Sequence, residues 1–151
     1  MKPIAILLTI LISGISTGHA QTAEDSVKAV VTRLFDGMKN SDASVIRESF
    51  ADSAILQTIG RSREGNTVIR TDQVSAFVES IGKLTKGDAD ERIQFETVKI
   101  DGPLAIVWTP YKFYYKGQFS HCGVNSFQLV RINGNWRIQY LIDTRRRQGC
   151  D

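Results

Sequence analysis

The chain has 151 residues, 42% of them hydrophobic and 23% charged, with a formal net charge of +3. Its first twenty residues read as a cleaved leader carrying one lysine, which leaves a surplus of about two positive charges. That surplus is too small to imply nucleic acid or an acidic partner, and the remaining length suits one domain with one core.

The leader reading rests on Lys2, the apolar run Ile4–Ile15 and the small residues flanking His19 in Gly18-His19-Ala20. The run is too short to span a bilayer comfortably and ends in Ser, Thr and Gly. No cysteine follows the small residues, so a lipoprotein is not expected. The expected product is a periplasmic or secreted domain, residues 21–151, with no membrane contact after cleavage.

Thr22 and Asp25 form a capping-box pattern ahead of Val27, Val30, Val31, Leu34, Phe35 and Met38, which predicts a helix over Val27–Lys39. Asp42 caps a shorter helix carrying Val45, Ile46 and Phe50. Ala54–Ile59 reads as a strand, Gly60–Asn66 as a loop and Thr67–Ile69 as a short strand. A third helix is predicted from Thr71, about Asp72–Lys83, with Val74, Phe77, Val78 and Ile81 on one face. Lys83–Asp90 is a solvated connection, and the pattern then changes to strands at Arg92–Ile100 and Leu104–Tyr115. Pro110 cannot donate a ladder hydrogen bond, so a bulge or an edge is expected there. Tyr111, Phe113 and Tyr115 make an aromatic stripe, a pattern that more often marks core than a ligand box. Trp108 and Trp136 are core by default.

Phe119–Asp143 is the strongest signal in the chain. It reads as a hairpin turning at Asn133-Gly134. A two-residue loop opposes Ile132 to Asn135 and Phe127 to Tyr140. Alternation then gathers His121, Asn125, Phe127 and Leu129 with Trp136, Ile138, Tyr140 and Ile142 on one face. Cys122, Val124, Ser126, Gln128 and Val130 fall on the other, with Arg137, Gln139, Leu141 and Asp143. The inner face thus holds three polar groups, His121, Asn125 and Tyr140, which must satisfy one another or line a cavity. Helices followed by antiparallel strands give an α+β domain with helices packed on one face of a curved sheet.

Cys122 and Cys150 are the only cysteines. An even pair in an oxidising compartment favours a disulfide, and Gly149 helps the tail fold back toward Cys122. A metal site from His121 and both cysteines lacks close ligand spacing, so no metal is expected, and no cofactor either. Arg145-Arg146-Arg147, the only basic cluster, reads as a solvated end, with an anion site as the sharper alternative.

The order of helix, short helix with FADSA, helix, and sheet ending in NGNWRI resembles the nuclear transport factor 2-like superfamily. That group includes ketosteroid isomerases, SnoaL-type cyclases and secreted lumazine-binding-type proteins. Ala29–Gly60 looks like the opening of a ketosteroid isomerase without a gap, and the resemblance runs from Val27 to Asp143. It implies a cone-shaped domain with a pocket between the concave sheet face and the helices. At the positions of that enzyme's oxyanion tyrosine, base and oxyanion acid stand Leu34, Thr58 and Asn125. Neither leucine nor threonine can do the required proton chemistry, so ketosteroid isomerase activity is not expected.

The leading expectation is a binder of an apolar or aromatic small molecule, with Asn125, Tyr140, His121, Phe113, Phe127, Trp136 and Thr58 as ligand-contacting residues. An isomerase, dehydratase or cyclase using His121 as base and Asn125 as donor is the first alternative. Tyr111, Tyr114, Tyr140 and Asp143 are the candidates to orient that histidine. A dimeric interaction module is the second. A homodimer is expected through the outer sheet face at Val124, Val130 and Leu141, because related domains commonly pair there. Arg61, Arg63 and Glu64 lie in the loop expected near the pocket mouth.

Overall fold

The computed structural model describes residues 22–150, so the expected leader lies outside the described residues. Three helices, α1 (Ala23–Asn40), α2 (Ala43–Ser49) and α3 (Val74–Gly82), pack on a sheet of seven strands. The strands are β1 (Phe50–Arg61), β2 (Thr67–Asp72), β3 (Ala89–Ile93), β4 (Thr97–Asp101), β5 (Leu104–Tyr115), β6 (Gln118–Ile132) and β7 (Asn135–Thr144). Their order is β2-β1-β7-β6-β5-β3, with β4 also pairing β5. All pairs are antiparallel except β1 with β7. This is the expected α+β architecture.

Local chemistry explains the helix starts. Thr22 and Asp25 close a reciprocal capping box, and Asp42 accepts the Ser44 and Val45 amides. The α1 stripe Val27, Val31, Leu34, Phe35 and Met38 is buried together with Phe127, Leu129, Trp136 and Ile138. Each such side chain contributes about 1.5–3 kcal/mol when fully buried. Phe35 meets Phe127 edge-on, with ring centroids 6.1 Å apart.

Two boundaries differ from expectation. Thr71 and Asp72 end β2, paired with Gln57 and Leu56, and α3 starts only at Val74 behind Gln73, which makes no side-chain cap bond. Ladder pairing to the long β1 outweighs the preference of Asp72 for a helix's first turn. The segment Arg92–Ile100 is two strands, and β3 begins at Ala89 inside the expected connection. Pro110 is neither bulged nor at the sheet's edge, and it stays in register with Val124. Its carbonyl accepts from Gln94, between the pairings of β3 and β4, so its missing N–H faces a break in the neighbouring ladder.

The hairpin departs from its predicted register at one residue. Asn133 and Gly134 both adopt positive φ, as a type I′ turn requires, and Ile132 opposes Asn135. Leu129 still faces Ile138, but Gln128 faces Tyr140, so Gln139 is an extra residue in β7. Beyond this bulge Phe127 opposes Leu141 and Asn125 opposes Asp143. Leu141 and Asp143 therefore point inward, while Tyr140 and Ile142 leave the inner face. Phe127 itself is buried and Gln128 exposed, as expected.

Cys122 and Cys150 form a disulfide, with Cα atoms 5.8 Å apart. The bulge moves the opposing residue, so Cys122 pairs with Arg146 rather than Arg145. Trp108, expected in the core, lies 45% exposed on the convex face. It opposes Ser126 there, as alternation from buried Val107 and Thr109 demands.

Candidate functional site

A cavity of about 450 Å³ lies between the helices and the concave sheet face. Its apolar wall comes from Leu34, Phe35 and Met38 of α1, Leu56 of β1, Phe77 and Ile81 of α3, Phe113 of β5 and Leu141 of β7. Its polar end gathers Thr58 of β1, Glu91 of β3, His121 and Asn125 of β6, and Asp143 with Arg145 at the end of β7. Alternation along each strand delivers these groups to one face.

Asp143 is buried and holds three donor contacts. The Thr58 hydroxyl donates to its Oδ1 at 2.6 Å, and Arg145 Nε donates to its Oδ2 at 2.8 Å. The Tyr111 hydroxyl lies 3.0 Å from Oδ2 and 2.9 Å from the Thr144 carbonyl oxygen. Arg145 Nη2 also donates to the Thr58 oxygen, at 3.1 Å. Burial, with Asp143 and Glu91 nearby, pushes the Tyr111 phenol far above its ordinary value, so it stays a donor. Burial works against the Arg145 cation, but its bond to Asp143, together with the charges of Asp143, Tyr111 and Glu91, outweighs that and raises its pKa. Gly123 is needed beside this network, because a Cβ there would collide with the Thr144 carbonyl oxygen.

Glu91 is the opposite case. Asn125 Nδ2 donates to its Oε1 at 2.8 Å, and its remaining accessible surface belongs to a residue that lines the cavity. Burial pushes its carboxyl up to about 7 against the Asn125 bond. Asp143 adds to the rise and Arg145 opposes it. His121 rests its ring against Phe113 and Tyr111, with centroids 5.0 Å and 5.7 Å apart. Burial, followed by Arg145, lowers its pKa, so the imidazole is favoured over the imidazolium. Its Nδ1 pairs with Ser120 Oγ at 3.0 Å, not with any of the tyrosines or Asp143.

Sequence and family comparisons agree with this architecture. The sequence matches the family described as "Putative lumazine-binding" over residues 22–140. The chain belongs to that family. No curated protein matches it. Among solved structures, a domain of unknown function with a cystatin-like fold from Nostoc punctiforme PCC 73102 is similar, at 17% identity and TM-score 0.64. That match covers 84% of this chain and 80% of the other. An NTF2-like protein of unknown function from Shewanella baltica OS155 is 13% identical at TM-score 0.61, covering 80% of this chain and 91% of that one. A ketosteroid isomerase-like protein from Erwinia carotovora atroseptica SCRI1043 is 13% identical at TM-score 0.60, covering 81% and 95%. At these identities the likeness concerns the fold, and the family's domain here is NTF2-like.

Of the residues expected at the site, Asn125, His121, Phe113 and Thr58 line the cavity, as does Leu34. Three do not. Tyr140 is turned away by the bulge and donates to Gln57 Oε1 at 2.7 Å. Phe127 and Trp136 are packed into the core beneath the helices. Arg61, Arg63 and Glu64 are not among the lining residues either; α3 and Asp72 contribute in that region instead. Sequence reasoning missed Glu91, Asp143, Arg145 and Tyr111 as one polar group. Glu91 was reachable by alternation, since it opposes Phe113 across the β3–β5 ladder.

Proposed function

We propose that this chain is a periplasmic or secreted domain that binds a flat, largely apolar or aromatic small molecule in the concave cavity. The observation that carries this reading is one space walled by Leu34, Phe35, Met38, Leu56, Phe77 and Leu141 and closed at one end by convergent polar groups. The family description names a pteridine, which makes lumazine a natural first probe. Native mass spectrometry of protein from its own host should show a retained small molecule, and lumazine fluorescence should change on titration. Leu34→Trp, which fills the apolar wall, should abolish both signals. Ligand binding that survives this substitution would place the site elsewhere.

Glu91 favours a second reading, acid–base catalysis of the isomerase or dehydratase type. A carboxyl that exchanges its proton near neutral pH suits that task better than His121, whose protonated form is disfavoured. Isomerisation of steroid enones is not part of either reading, since Leu34 and Thr58 supply no base and no oxyanion donor of the required kind. Deuterium exchange at the α-carbon of a small cyclic ketone, catalysed by wild type and lost in Glu91→Gln, would favour catalysis over plain binding.

The homodimer belongs to the convex face. Leu104, Ile106 and Trp108 are exposed there and oppose Val130, Gln128 and Ser126, while Leu141, expected in the contact, lines the cavity instead. Val130→Lys should weaken self-association in sedimentation. A monomeric wild type at micromolar concentration would remove this contact.

A further inference from the structure

The polar end of the cavity can be read as an account of donors and acceptors. Asp143 spends Oδ1 on Thr58 and Oδ2 on Arg145 and Tyr111. Thr58 spends its oxygen on Arg145, and Asn125 spends its amide nitrogen on Glu91 Oε1. Among the described residues, no donor reaches Glu91 Oε2 and no ion pair includes Glu91. The largest unspent capacity is thus a carboxyl oxygen facing an apolar space.

The charges point the same way. From β7 and the residue just past its end come Asp143 and Arg145, which neutralise each other. From β6 comes His121, held toward its neutral form, and from β5 come the Tyr111 phenol and Phe113. The α1 wall presents Leu34, Phe35 and Met38, and its Lys39 pairs with Asp90, the neighbour of Glu91 that alternation turns to the other face of β3. Ala76 and Phe77 come from α3, and Asp72 from the end of β2. No cation among these is left to match Glu91.

We propose that the cavity selects a planar ligand with a cationic N–H head group, an amidine or protonated amino-heterocycle, and that Glu91 receives that group. The inference rests on the cavity being a ligand site and adds the chemical class of the ligand. A flat ring fills the apolar wall while in-plane N–H groups reach the carboxylate. The cation supplies the counter-charge that burial denies to ionised Glu91, so binding holds Glu91 as a carboxylate. Below neutral pH its proton is released to solvent as the ligand enters.

Three probes of one shape separate the possibilities: 2-naphthamidine, 2-naphthamide and 2-naphthoate, titrated calorimetrically at pH 8. The amidine should bind about tenfold or more tightly than the amide, as expected for a charge-assisted bond in a partly buried site, and the naphthoate weakest. Amidine affinity should fall by up to about tenfold per unit as pH drops below about 7. Calorimetry in two buffers should show proton release at pH 6.5 and none at pH 8.5, a readout that needs no variant. Glu91→Gln should bring the amidine to the level of the amide. Equal binding of amide and amidine, or a preference for naphthoate, would leave the cavity a ligand site and overturn the inference. Failure of all three probes would count against both readings.

Discussion

Asp143 and Glu91 are two carboxyl groups facing one cavity from different strands, and they have opposite surroundings. Asp143 receives a hydroxyl, a guanidinium and a phenol, and its charge is matched within the fold by Arg145. Glu91 receives one amide, and its burial is not offset by any cation of its own. A carboxylate that already holds three donors, one of them its own counter-cation, makes a structural post with little left for a ligand. Partial satisfaction leaves reactivity. Binding chemistry in this cavity therefore belongs to Glu91, and the rigidity of the cavity's polar end belongs to Asp143.

The largest effect should come from removing the post. Asp143→Ala leaves the Thr58 hydroxyl without its acceptor and Arg145 without its counter-charge, while Tyr111 keeps the Thr144 carbonyl. A loss of about 3 kcal/mol is expected, tempered because Arg145 is half-exposed and can rehydrate. Urea denaturation at pH 7 measures it; a loss under 1 kcal/mol would mean the network is ornamental. Glu91→Gln should do the reverse. The folded carboxyl titrates near 7 and the unfolded one near 4.5, so the folded state binds more protons between those values. Wild-type stability from this group is present below pH 4.5 and is lost as pH rises through about 7, by about 3 kcal/mol. The glutamine variant should be the more stable protein at pH 8 and should lack that part of the pH slope. A variant less stable than wild type at pH 8 would contradict the assignment.

This contrast was only half legible in the sequence. Helix α1, the Asn133-Gly134 turn and β5 were readable because periodicity and turn chemistry act over short range, and the cysteine pair because two cysteines allow one intramolecular bridge. Asn125 and His121 reached the cavity because the extra residue lies in β7 and leaves the alternation along β6 unbroken. Phe113 and Thr58 came from the aromatic stripe and the resemblance. What failed was β7 after Gln139. A bulge inserts one residue, and with a period of two one residue is enough to exchange the faces. Nothing in RIQYLID announces it. The bulge sits where the contacts are tertiary: Gln139 donates to the Ser53 carbonyl across the irregular start of the β1–β7 pairing. Glu91 failed for another reason, because a charged residue after a polar connection reads as surface until its pairing partner is known.

Asn125 tests whether Glu91 needs its single donor. Asn125→Leu roughly preserves volume and removes the only bond that favours the Glu91 carboxylate from within β6. Glu91 should then titrate higher still, since that hydrogen bond lowers its pKa. A stability change of about 1–2 kcal/mol is expected for a buried side chain that loses one hydrogen bond and leaves its acceptor open. Ligand affinity should fall at pH 7 and recover at higher pH, where Glu91 ionises without help. Carbon-13 NMR of the glutamate carboxyl would follow the shift, and an unchanged titration would show that Asn125 does not tune it.

The smallest effect, at Tyr140, sharpens the comparison most. In an unbroken hairpin register Tyr140 would share the cavity face with Asn125, and losing its hydroxyl would cost ligand binding. With the bulge at Gln139 it stands on the other face, its hydroxyl on Gln57 at 2.7 Å in a partly wet setting. Tyr140→Phe should therefore cost under about 1 kcal/mol, the net value of one hydrogen bond that water can replace. Affinity for any ligand of the cavity should stay within twofold of wild type, and the pH dependence set by Glu91 should not move. Weaker binding at unchanged stability would return Tyr140 to the cavity. It would also turn Asp143 outward, because β7 cannot present both side chains to the same face without a second irregularity between them.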